Sequence, residues 1–462
     1  METKLNYKRT FLIGLAFLSI CSFWQMYDNI IPLILQNTYH LGETMTGAVM
    51  ALDNVLAIFL LPVFGMLSDK VHTKLGRRMP FIVAGTILAV IFMMLLPMID
   101  NAEKARWSTG ESFSNQVIFL AVLFFTLVSM GLYRSPAVAL MPDVTPNHLR
   151  SRANAVINLM GAVGGVYALI MIKVLVGKGE TPDYMPLFAS IAAVMAIAVG
   201  ILVITIRENK LREEVEKAET VNAGTIEEKA IAEGVEAAGE IEAVADTEQS
   251  GATGKVKGMT KEVKRSMYFM LASIFLWFTA YNAVTTAFSR YTKVVWKMEG
   301  GSFANCLMVA TVAAILSYIP IGNISAKIGR KKTIMGGVLL MAACYGGAIF
   351  AREYHPIVNV AFALIGVAWA AINVNSYPMI VAMSSGSDVG KFTGTYYTFS
   401  MAAQILTPVL SGFLLENVSY NTLFPYALFF SLMAFLTMTQ VRHGDVKPQK
   451  KESILENFDV DD

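Results

Sequence analysis

Twelve long apolar runs constrain this chain more than any other feature of its sequence. A helix needs about 20 apolar residues to cross the ~30 Å hydrocarbon core of a membrane. Closed β-barrels also satisfy their backbone groups in lipid, but their strands alternate in short segments, and these runs do not. We therefore predict an all-α membrane protein of twelve transmembrane helices, over residues 10–36, 44–67, 79–99, 116–141, 152–176, 184–206, 266–290, 303–324, 333–351, 356–383, 391–415 and 420–441.

Composition excludes several classes of protein. The chain is 55% hydrophobic and 16% charged, whereas soluble proteins carry roughly a quarter charged residues. Its net charge of +2 is too small to indicate nucleic acid as a partner. The three cysteines and five histidines lack metal-ligand or disulfide spacing, and the sequence contains no nucleotide loop or hydrolase constellation. We therefore predict no enzyme activity, no metal, no cofactor, and an ion gradient as energy source.

Lys and Arg predict the orientation, because cytoplasmic loops carry an excess of both. The larger share falls on the cytoplasmic side when both termini are placed there. The first apolar run, from Thr10, exceeds the 7–15 residues typical of a secretory signal, so we interpret it as a retained helix. The predicted location is the cell membrane, as a multi-pass protein of the bacterial inner membrane.

One long polar segment, residues 207–265, divides the chain. It has no aromatic residue and cannot bury enough apolar surface to order itself. We predict a disordered cytoplasmic linker whose first part, around Arg207 to Glu219, could extend helix 6. The linker separates an N-terminal six-helix bundle, residues 1–206, from a C-terminal bundle, residues 266–441, and residues 442–462 form a cytoplasmic tail.

A short loop occurs twice, six helices apart. Residues 65–78 contain GMLSDK and then LGRR, and residues 322–332 contain GNISAK and then IGRKK. The first copy has four extra residues, and Ala326 replaces Asp69 in the second. Parallel repeats of this kind are typical of transporters.

The repeated loop resembles the signature of the major facilitator superfamily, which implies two six-helix pseudo-repeats. A narrower resemblance rests on PVFGMLSD at 62–69, GRRMPFI at 76–82 and RANA at 152–155. These stretches are similar to sucrose transporters, which belong with the glycoside–pentoside–hexuronide:cation symporters. The resemblance implies cation-coupled sugar uptake by a monomer.

Two departures from these relatives limit the comparison. Val138 stands where the sucrose branch has an arginine, two residues after the helix 4 proline. Leu61 and Ala57 stand where melibiose permeases have the aspartates that hold their cation. The sequence therefore does not predict sodium coupling of that design.

Charged residues near the cytoplasmic ends are candidates for a gate. Asp69 with Arg77 and Arg78 forms one such cluster, and in the superfamily this aspartate helps latch the halves closed. The alternative is positive-inside charge that only sets topology. Arg134, in the inner half of helix 4, could anchor a substrate or pair with Asp143 or Asp69, and its depth favours the gate.

Ionisable residues inside a span cost about 2.5–3.5 kcal/mol each, so they are functional candidates. Asp28 and Asp53 lie at comparable depth, and neighbouring buried carboxylates disfavour each other's ionisation. Such a pair can load and release a proton. We predict Asp53 as the coupling carboxylate and Asp28 as substrate ligand or second proton site. The alternative is that each only forms hydrogen bonds between helices. Lys173, Arg290 and Arg352 lie at outer helix ends, where we expect them to snorkel.

Sugar binding requires amide or carboxylate groups for hydroxyls and aromatic faces for the ring. Several helices present both at i, i+4 spacing, although each stripe alone is more often packing or an interfacial aromatic. The predicted substrate residues are Trp24, Gln25, Tyr27, Asp28, Asn154, Asn158, Tyr281, Asn282, Trp369, Asn373, Tyr377, Tyr396 and Gln404.

The favoured function is a secondary transporter that imports a sugar or glycoside with a cation, most simply H⁺, by alternating access. One alternative is a proton-coupled exporter of a drug or metabolite, whose cavity would have a more apolar lining. Another is a membrane sensor or scaffold that does not transport. Such a protein would need an ordered cytoplasmic domain, which the composition of the linker does not predict.

Overall fold

The computed structural model describes residues 5–109, 115–146, 149–179, 181–217, 260–383 and 389–445. The described chain contains twelve long α-helices, which confirms the predicted all-α architecture. They are α1 (Tyr7–Asn37), α2 (Glu43–Lys70), α3 (Met79–Thr109), α4 (Gln116–Asp143), α5 (Arg150–Leu175), α6 (Met185–Thr205), α7 (Lys261–Val294), α8 (Ala304–Ile328), α9 (Arg330–Ala348), α10 (Val358–Met383), α11 (Val389–Asn417) and α12 (Leu423–Thr439).

Eleven helices in the described residues are long and apolar enough to cross a membrane. The remaining helix, α9, has only 19 residues and begins with the basic run Arg330, Lys331 and Lys332. This run lowers its average hydropathy, although the rest of the helix is apolar. α9 occupies the same place in the second half as α3 does in the first.

The helices run between two ends of the molecule. We call one the linker end, because residues 71–78, residues 206–217 and Gly329 lie there. The other is the distal end, with residues 38–42, 295–303 and 418–422. Both copies of the repeated loop lie at the linker end. Its assignment to the cytoplasm stays a prediction.

The packing of each half repeats in the other. In the first half α1 packs on α5 and α6, and α4 packs on α2 and α3. In the second half α7 packs on α11 and α12, and α10 packs on α8 and α9. The two sets correspond helix for helix after a shift of six. The duplication suggested by the loops therefore extends to the whole membrane domain.

The start of the predicted disordered linker is ordered. α6 ends at Thr205, Ile206 is extended, and a separate helix covers residues 208–217. This linker helix is not an extension of α6. Its first residue, Glu208, is fully buried because its carboxylate accepts the backbone N–H groups of Arg77, Arg78 and Met79. Residues 218–259 of the linker and 446–462 of the tail lie outside the described residues.

The halves meet through α2 with α11, α5 with α8 and α1 with α7. The closest approach is at the distal end, where only glycine fits. A Cβ on Gly47 would lie 2.1 Å from the carbonyl oxygen of Pro408, and one on Gly412 would lie 2.5 Å from that of Glu43. Backbones of α2 and α11 are therefore in direct contact.

A buried ion pair lies beside this contact. Arg290 Nε of α7 donates to Glu43 Oε2 of α2 at 2.8 Å, and both side chains are only 4% exposed. The hydroxyl of Tyr420 donates to the other oxygen of Glu43. We call Glu43, Arg290 and Tyr420 the distal closure. The expectation that Arg290 snorkels is wrong, because its charge finds a carboxylate in the opposite half.

Toward the linker end the side chains of α2 become more exposed. Met50 and Ala51 are buried, but no side chain from Leu52 to Leu67 is fully buried. The halves are therefore held together at the distal end, and the side chains of α2 become more exposed as the helix runs to the linker end.

We predict that Glu43→Gln loosens the distal closure. The amide keeps a hydrogen bond to Tyr420 but leaves the Arg290 charge buried without its counter-ion, a change that costs about 3–5 kcal/mol in buried pairs. Thr46 is fully buried one turn away. A Thr46→Cys probe, in a chain whose three native cysteines are replaced, should therefore react faster with a membrane-impermeant maleimide in the Glu43→Gln background.

The matched control is Lys173→Gln, because exposed Lys173 also joins the halves, through Asn305 at 3.2 Å. It should leave the labelling rate unchanged. Equal rates for the Glu43→Gln chain and its parent would show that the ion pair does not hold this end closed.

Candidate functional site

Two carboxylates lie inside the first half. Asp28 is on α1 and Asp53 is on α2, and the two are close enough to repel each other electrostatically. Asn54 Nδ2 donates to Asp53 Oδ1 at 2.8 Å. Tyr27, 1% exposed, lies within the field of both carboxylates. The expected pairing of these acids at one depth is thus present, while their predicted coupling role stays a prediction.

Arg134 of α4 completes this group. Its guanidinium carbon lies 5.8 Å from the ring centroid of Trp24, within the range of a cation–π contact. Asp53 also interacts electrostatically with Arg134. Trp24 and Asp28, at i and i+4, share one face of α1, and Trp24 packs edge-on against Tyr27 at 5.4 Å. We call Trp24, Asp28, Asp53 and Arg134 the charged cluster.

An aromatic pair lies in the second half. The rings of Tyr281 on α7 and Trp369 on α10 are stacked, with centroids 3.8 Å apart and an interplanar angle of 7°. Phe278 packs edge-on against Trp369 at 5.3 Å. Asn282 follows Tyr281, and its Nδ2 group is buried without a hydrogen-bond partner among the described residues. The sequence placed Tyr281 and Trp369 on two separate stripes, and the fold stacks them.

The two groups lie at similar depth. A rise of 1.5 Å per residue places Asp28 and Asp53 about 15 Å from the distal ends of α1 and α2. The same count places Trp24, Tyr281 and Trp369 about 17–20 Å from the distal ends of their helices. Gln404, half-buried on α11, lies at about 20 Å. One layer of the molecule therefore holds carboxylates in one half and aromatic faces in the other.

Other predicted substrate residues lie elsewhere. Asn154 and Asn158 are within about 12 Å of the linker end of α5. Tyr377 lies about 12 Å beyond Trp369 along α10, where its hydroxyl contacts that of Thr393 at 3.0 Å and its ring packs edge-on against Tyr396.

Two further candidates occupy helix contacts. Gln25 of α1 faces Gly165 of α5, so it lies at a helix contact of the first half. Asn373 of α10 is 3% exposed. The mid-depth candidates therefore form two groups, one on α1, α2 and α4 and the other on α7 and α10, and the remaining candidates lie at other helix contacts.

The charged residues of the first repeated loop form a network at the linker end. Asp143 accepts from Arg77 at 2.6 and 3.0 Å and from Arg78 at 2.8 Å. Asp69 pairs with Arg78 at 2.5 Å and with Arg77 at 3.7 Å. Arg78 also donates to Ser68. The predicted gate residues Asp69, Arg77, Arg78 and Asp143 therefore lie together, and they join α2, α3 and α4 of the first half.

Arg134 is not part of that network. The sequence favoured its pairing with Asp143 or Asp69, but both aspartates are taken by Arg77 and Arg78, and Arg134 lies over Trp24 instead. Sequence depth alone could not decide this, because two arginines nearer in the fold compete for the same carboxylates.

Sequence reasoning missed the acids that fix both repeated loops. Glu208 follows α6 and caps the start of α3, while Asp445 follows α12 and accepts the backbone N–H of Lys331 at 3.0 Å, at the start of α9. An acidic residue just after the sixth helix of each half was the available signal. Glu43, Arg290 and Tyr420 gave none, because they meet only when the halves do.

Comparison with known proteins identifies one family model. The Major Facilitator Superfamily model matches residues 12–310 and 297–457. Among curated relatives, sucrose transport protein SUC4 of Arabidopsis thaliana is 35% identical over 116 residues, 24% of this chain and 22% of that protein. Sucrose transport protein SUT3 of Oryza sativa subsp. japonica is 26% identical over 137 residues, 28% and 27% of the two chains.

A third relative has a different description. Chloramphenicol resistance protein CraA of Acinetobacter baumannii is 30% identical over 101 residues, 22% of this chain and 24% of that protein. The matches to these curated relatives thus span about a quarter of their length.

Solved structures match over nearly the whole chain. A bacterial homologue of the iron transporter ferroportin, in an inward-facing state, has a TM-score of 0.64 at 12% identity and covers 95% of this chain and 99% of its own. The nucleoside transporter NupG, as a mutant, has a TM-score of 0.64 at 15% identity and covers 94% and 100%. At such identities the likeness establishes the fold.

We predict that Asp143→Asn destabilises the protein by up to about 3–5 kcal/mol, because it leaves Arg77 and Arg78 with half-exposed Asp69 as their remaining carboxylate partner, and Arg78 is only 6% exposed. Reversible unfolding of the purified protein in micelles measures this loss. The exposed pair Arg9–Glu214, at 3.5 Å, is the control, and Glu214→Gln should cost under about 1 kcal/mol. Similar losses for both variants would contradict the buried network.

Proposed function

Because the chain belongs to the Major Facilitator Superfamily, and is therefore a membrane transporter, we propose that it imports a sugar or glycoside together with a proton. The observation that carries this proposal is the shared layer of the charged cluster and the Tyr281–Trp369 pair. A carboxylate can bind a proton or accept hydrogen bonds from hydroxyl groups, and an aromatic ring can pack against the C–H face of a sugar ring. The two halves supply one kind of group each.

The proton would be held by Asp53. When Asp53 is ionised it attracts Arg134 and is repelled by Asp28. A proton on Asp53 removes the attraction and the repulsion together. Arg134 then becomes available to a substrate hydroxyl, since a guanidinium has five N–H donors. Proton and sugar thus bind favourably together, which is what symport requires.

The sugar would lie between the halves. Its apolar face would pack on Tyr281 and Trp369, and its hydroxyls would bind Asp28 and Arg134. Two further donors support this placement, because Trp24 Nε1 and Asn282 Nδ2 are buried without hydrogen-bond partners among the described residues. A buried polar group without a hydrogen-bond partner destabilises the protein by about 1–3 kcal/mol, and a ligand that bonds to it removes that cost.

Alternating access would use the two ends of the molecule. The distal closure holds α2 and α7 together, and α2 is uncovered toward the linker end. With the linker end in the cytoplasm, this arrangement is open inward. Rocking of one half against the other would then break the Glu43–Arg290 pair and open the site outward. The network around Asp143 keeps α2, α3 and α4 together as a unit during this movement.

A second function has one observation in its favour. The relative from Acinetobacter baumannii is described as a chloramphenicol resistance protein, and export of a drug is one way to confer resistance to it. An exporter would use the same carboxylates in exchange with an apolar compound. The binding experiment below separates the two functions, because an exporter would be stabilised by aromatic drugs and by no sugar.

We predict that at least one mono- or disaccharide raises the thermal unfolding temperature of the purified protein. Trp369→Leu should weaken that binding about tenfold. An aromatic contact contributes about 0.5–1.5 kcal/mol in addition to the effect of its buried surface area, and about 1.4 kcal/mol is a factor of ten in affinity. Trp107→Leu is the control, because Trp107 is 42% exposed at the distal end, stacked on His40. A screen in which no sugar shifts the transition contradicts sugar transport.

We also predict that Asp53→Asn abolishes uphill uptake and leaves substrate exchange measurable. The amide keeps the shape of the side chain but cannot exchange a proton, so binding persists without coupling. Uptake into proteoliposomes under an imposed pH gradient measures the first effect, and counterflow measures the second. Asp183→Asn, in the exposed loop before α6, should behave as the parent.

Gradient-driven uptake by the Asp53→Asn protein at the parental rate would assign the proton to another group. Loss of both uptake and exchange would show that Asp53 is needed for binding, and Asp28→Asn would then become the test of coupling.

A further inference from the structure

The first turns of α7 carry an unusual stripe at the linker end. Six residues repeat at i, i+3, i+4, i+7, i+8 and i+11, a spacing that places them on one helix face. They line a shallow surface cavity of about 480 Å³. We call this set the α7 stripe: Lys261, Lys264, Arg265, Tyr268, Phe269 and Ala272.

The stripe faces away from the protein. Ser266, Met267 and Met270 on the other side of α7 are buried. Ser266 Oγ lies 2.9 Å from His443 Nδ1 and accepts the backbone N–H of Arg442 at 3.1 Å, so this side is fixed against the end of α12. Tyr268 is 71% exposed. The stripe is thus presented to whatever surrounds the helix.

The cationic side chains of the stripe form no ion pair within the part of the chain that the structure describes. Six other basic side chains at the linker end have protein acceptors: Arg9, Arg77, Arg78, Arg150, Arg330 and Lys331. Lys261, Lys264 and Arg265 have no ion pair or side-chain hydrogen bond with any residue that the structure describes. Arg265 lies 5.7 Å from the ring of Phe269, one turn along the same stripe. The three charges are free to meet an external anion.

The stripe also crosses the depth at which lipid headgroups lie. α7 has 34 residues, about 51 Å of helix against a hydrocarbon core of ~30 Å. Several turns of α7 must therefore lie outside the core. Along the stripe the side chains change from cationic to Tyr268 and then to Phe269 and Ala272. That order matches phosphate, glycerol and acyl chain in a phospholipid, with Tyr at the interface.

We propose that the α7 stripe is a binding site for an anionic phospholipid. The lipid phosphate would lie among Lys261, Lys264 and Arg265, and its acyl chain would follow Phe269 and Ala272. Anionic lipids fit better than zwitterionic ones, because a zwitterionic headgroup supplies its own cation. α7 also carries Tyr281 and Arg290, so the lipid would hold the helix of the second half that contributes to the site and to the distal closure.

Native mass spectrometry of the purified protein tests the site without any substrate. The probes are a phosphatidylglycerol and a phosphatidylcholine with the same acyl chains, added at equal concentration. The parent protein should retain phosphatidylglycerol at collision energies that remove phosphatidylcholine. The triple variant Lys261→Gln, Lys264→Gln, Arg265→Gln should bind phosphatidylglycerol on the order of a hundredfold more weakly, from about fivefold per charge.

The matched control removes three charges at the same end. Lys8→Gln, Lys210→Gln and Lys327→Gln alter exposed lysines on three other helices, and this variant should retain phosphatidylglycerol as the parent does. Equal retention by the two triple variants, or no preference of the parent for phosphatidylglycerol, would overturn the proposal.

Single variants keep the test decisive if the triple variant does not fold. Arg265→Gln should weaken phosphatidylglycerol binding about fivefold, and Arg265→Lys should restore most of it, since the charge remains. Identical binding by both single variants and the parent would show that the lipid lies elsewhere.

Discussion

The structure depends on the cost of removing charge from water. An ionised side chain within a membrane costs several kcal/mol unless a partner compensates for it. The described chain meets this cost in three ways. Glu43 and Arg290 pair across the halves, Asp143 pairs with Arg77 and Arg78 within one half, and Asp28 with Asp53 forms a pair of like charge that a proton can relieve. The first two arrangements hold helices together. The third is the pair to which the proposed function assigns the coupling proton.

The charged groups at the ends of the molecule differ from those in its middle layer. The ends contain complete ion pairs, Glu43 with Arg290 at one end and Asp143 with Arg77 and Arg78 at the other. The middle contains Arg134 over Trp24, close to Asp53 but without a direct ion pair. A charge held in this incomplete way can be redirected by a proton or by a hydroxyl group at little cost. Under the proposed function the middle layer responds to ligands, while the distal pair, which joins the halves, responds to their relative position.

The halves are related by duplication but differ in chemistry. Both have the same helix packing, and both close their repeated loop with an acid after the sixth helix, Glu208 or Asp445. Among the described residues a network like that of Asp69 occurs in the first half alone, because Ala326 replaces the aspartate in the second. The second half instead has the stacked pair of Tyr281 and Trp369. The duplication explains why the halves share a fold. Their different side chains would let one substrate contact charged groups in the first half and aromatic rings in the second.

The sequence by itself determined the twelve helices, the duplication and the superfamily, because hydropathy and loop motifs are local properties that lipid enforces segment by segment. It also identified Asp28, Asp53 and the Asp69 loop as candidates, since a charged residue within or beside an apolar span can be recognised without knowledge of its tertiary contacts. It was wrong about Arg290, and it did not predict that the helix over residues 208–217 is separate from α6.

Only the tertiary structure decided that Arg134 lies over Trp24, that Tyr281 stacks on Trp369, and that Glu43 meets Arg290 across 247 residues of chain. Each of these contacts joins helices distant in sequence, and their choice of partner depends on which other groups compete at the same place.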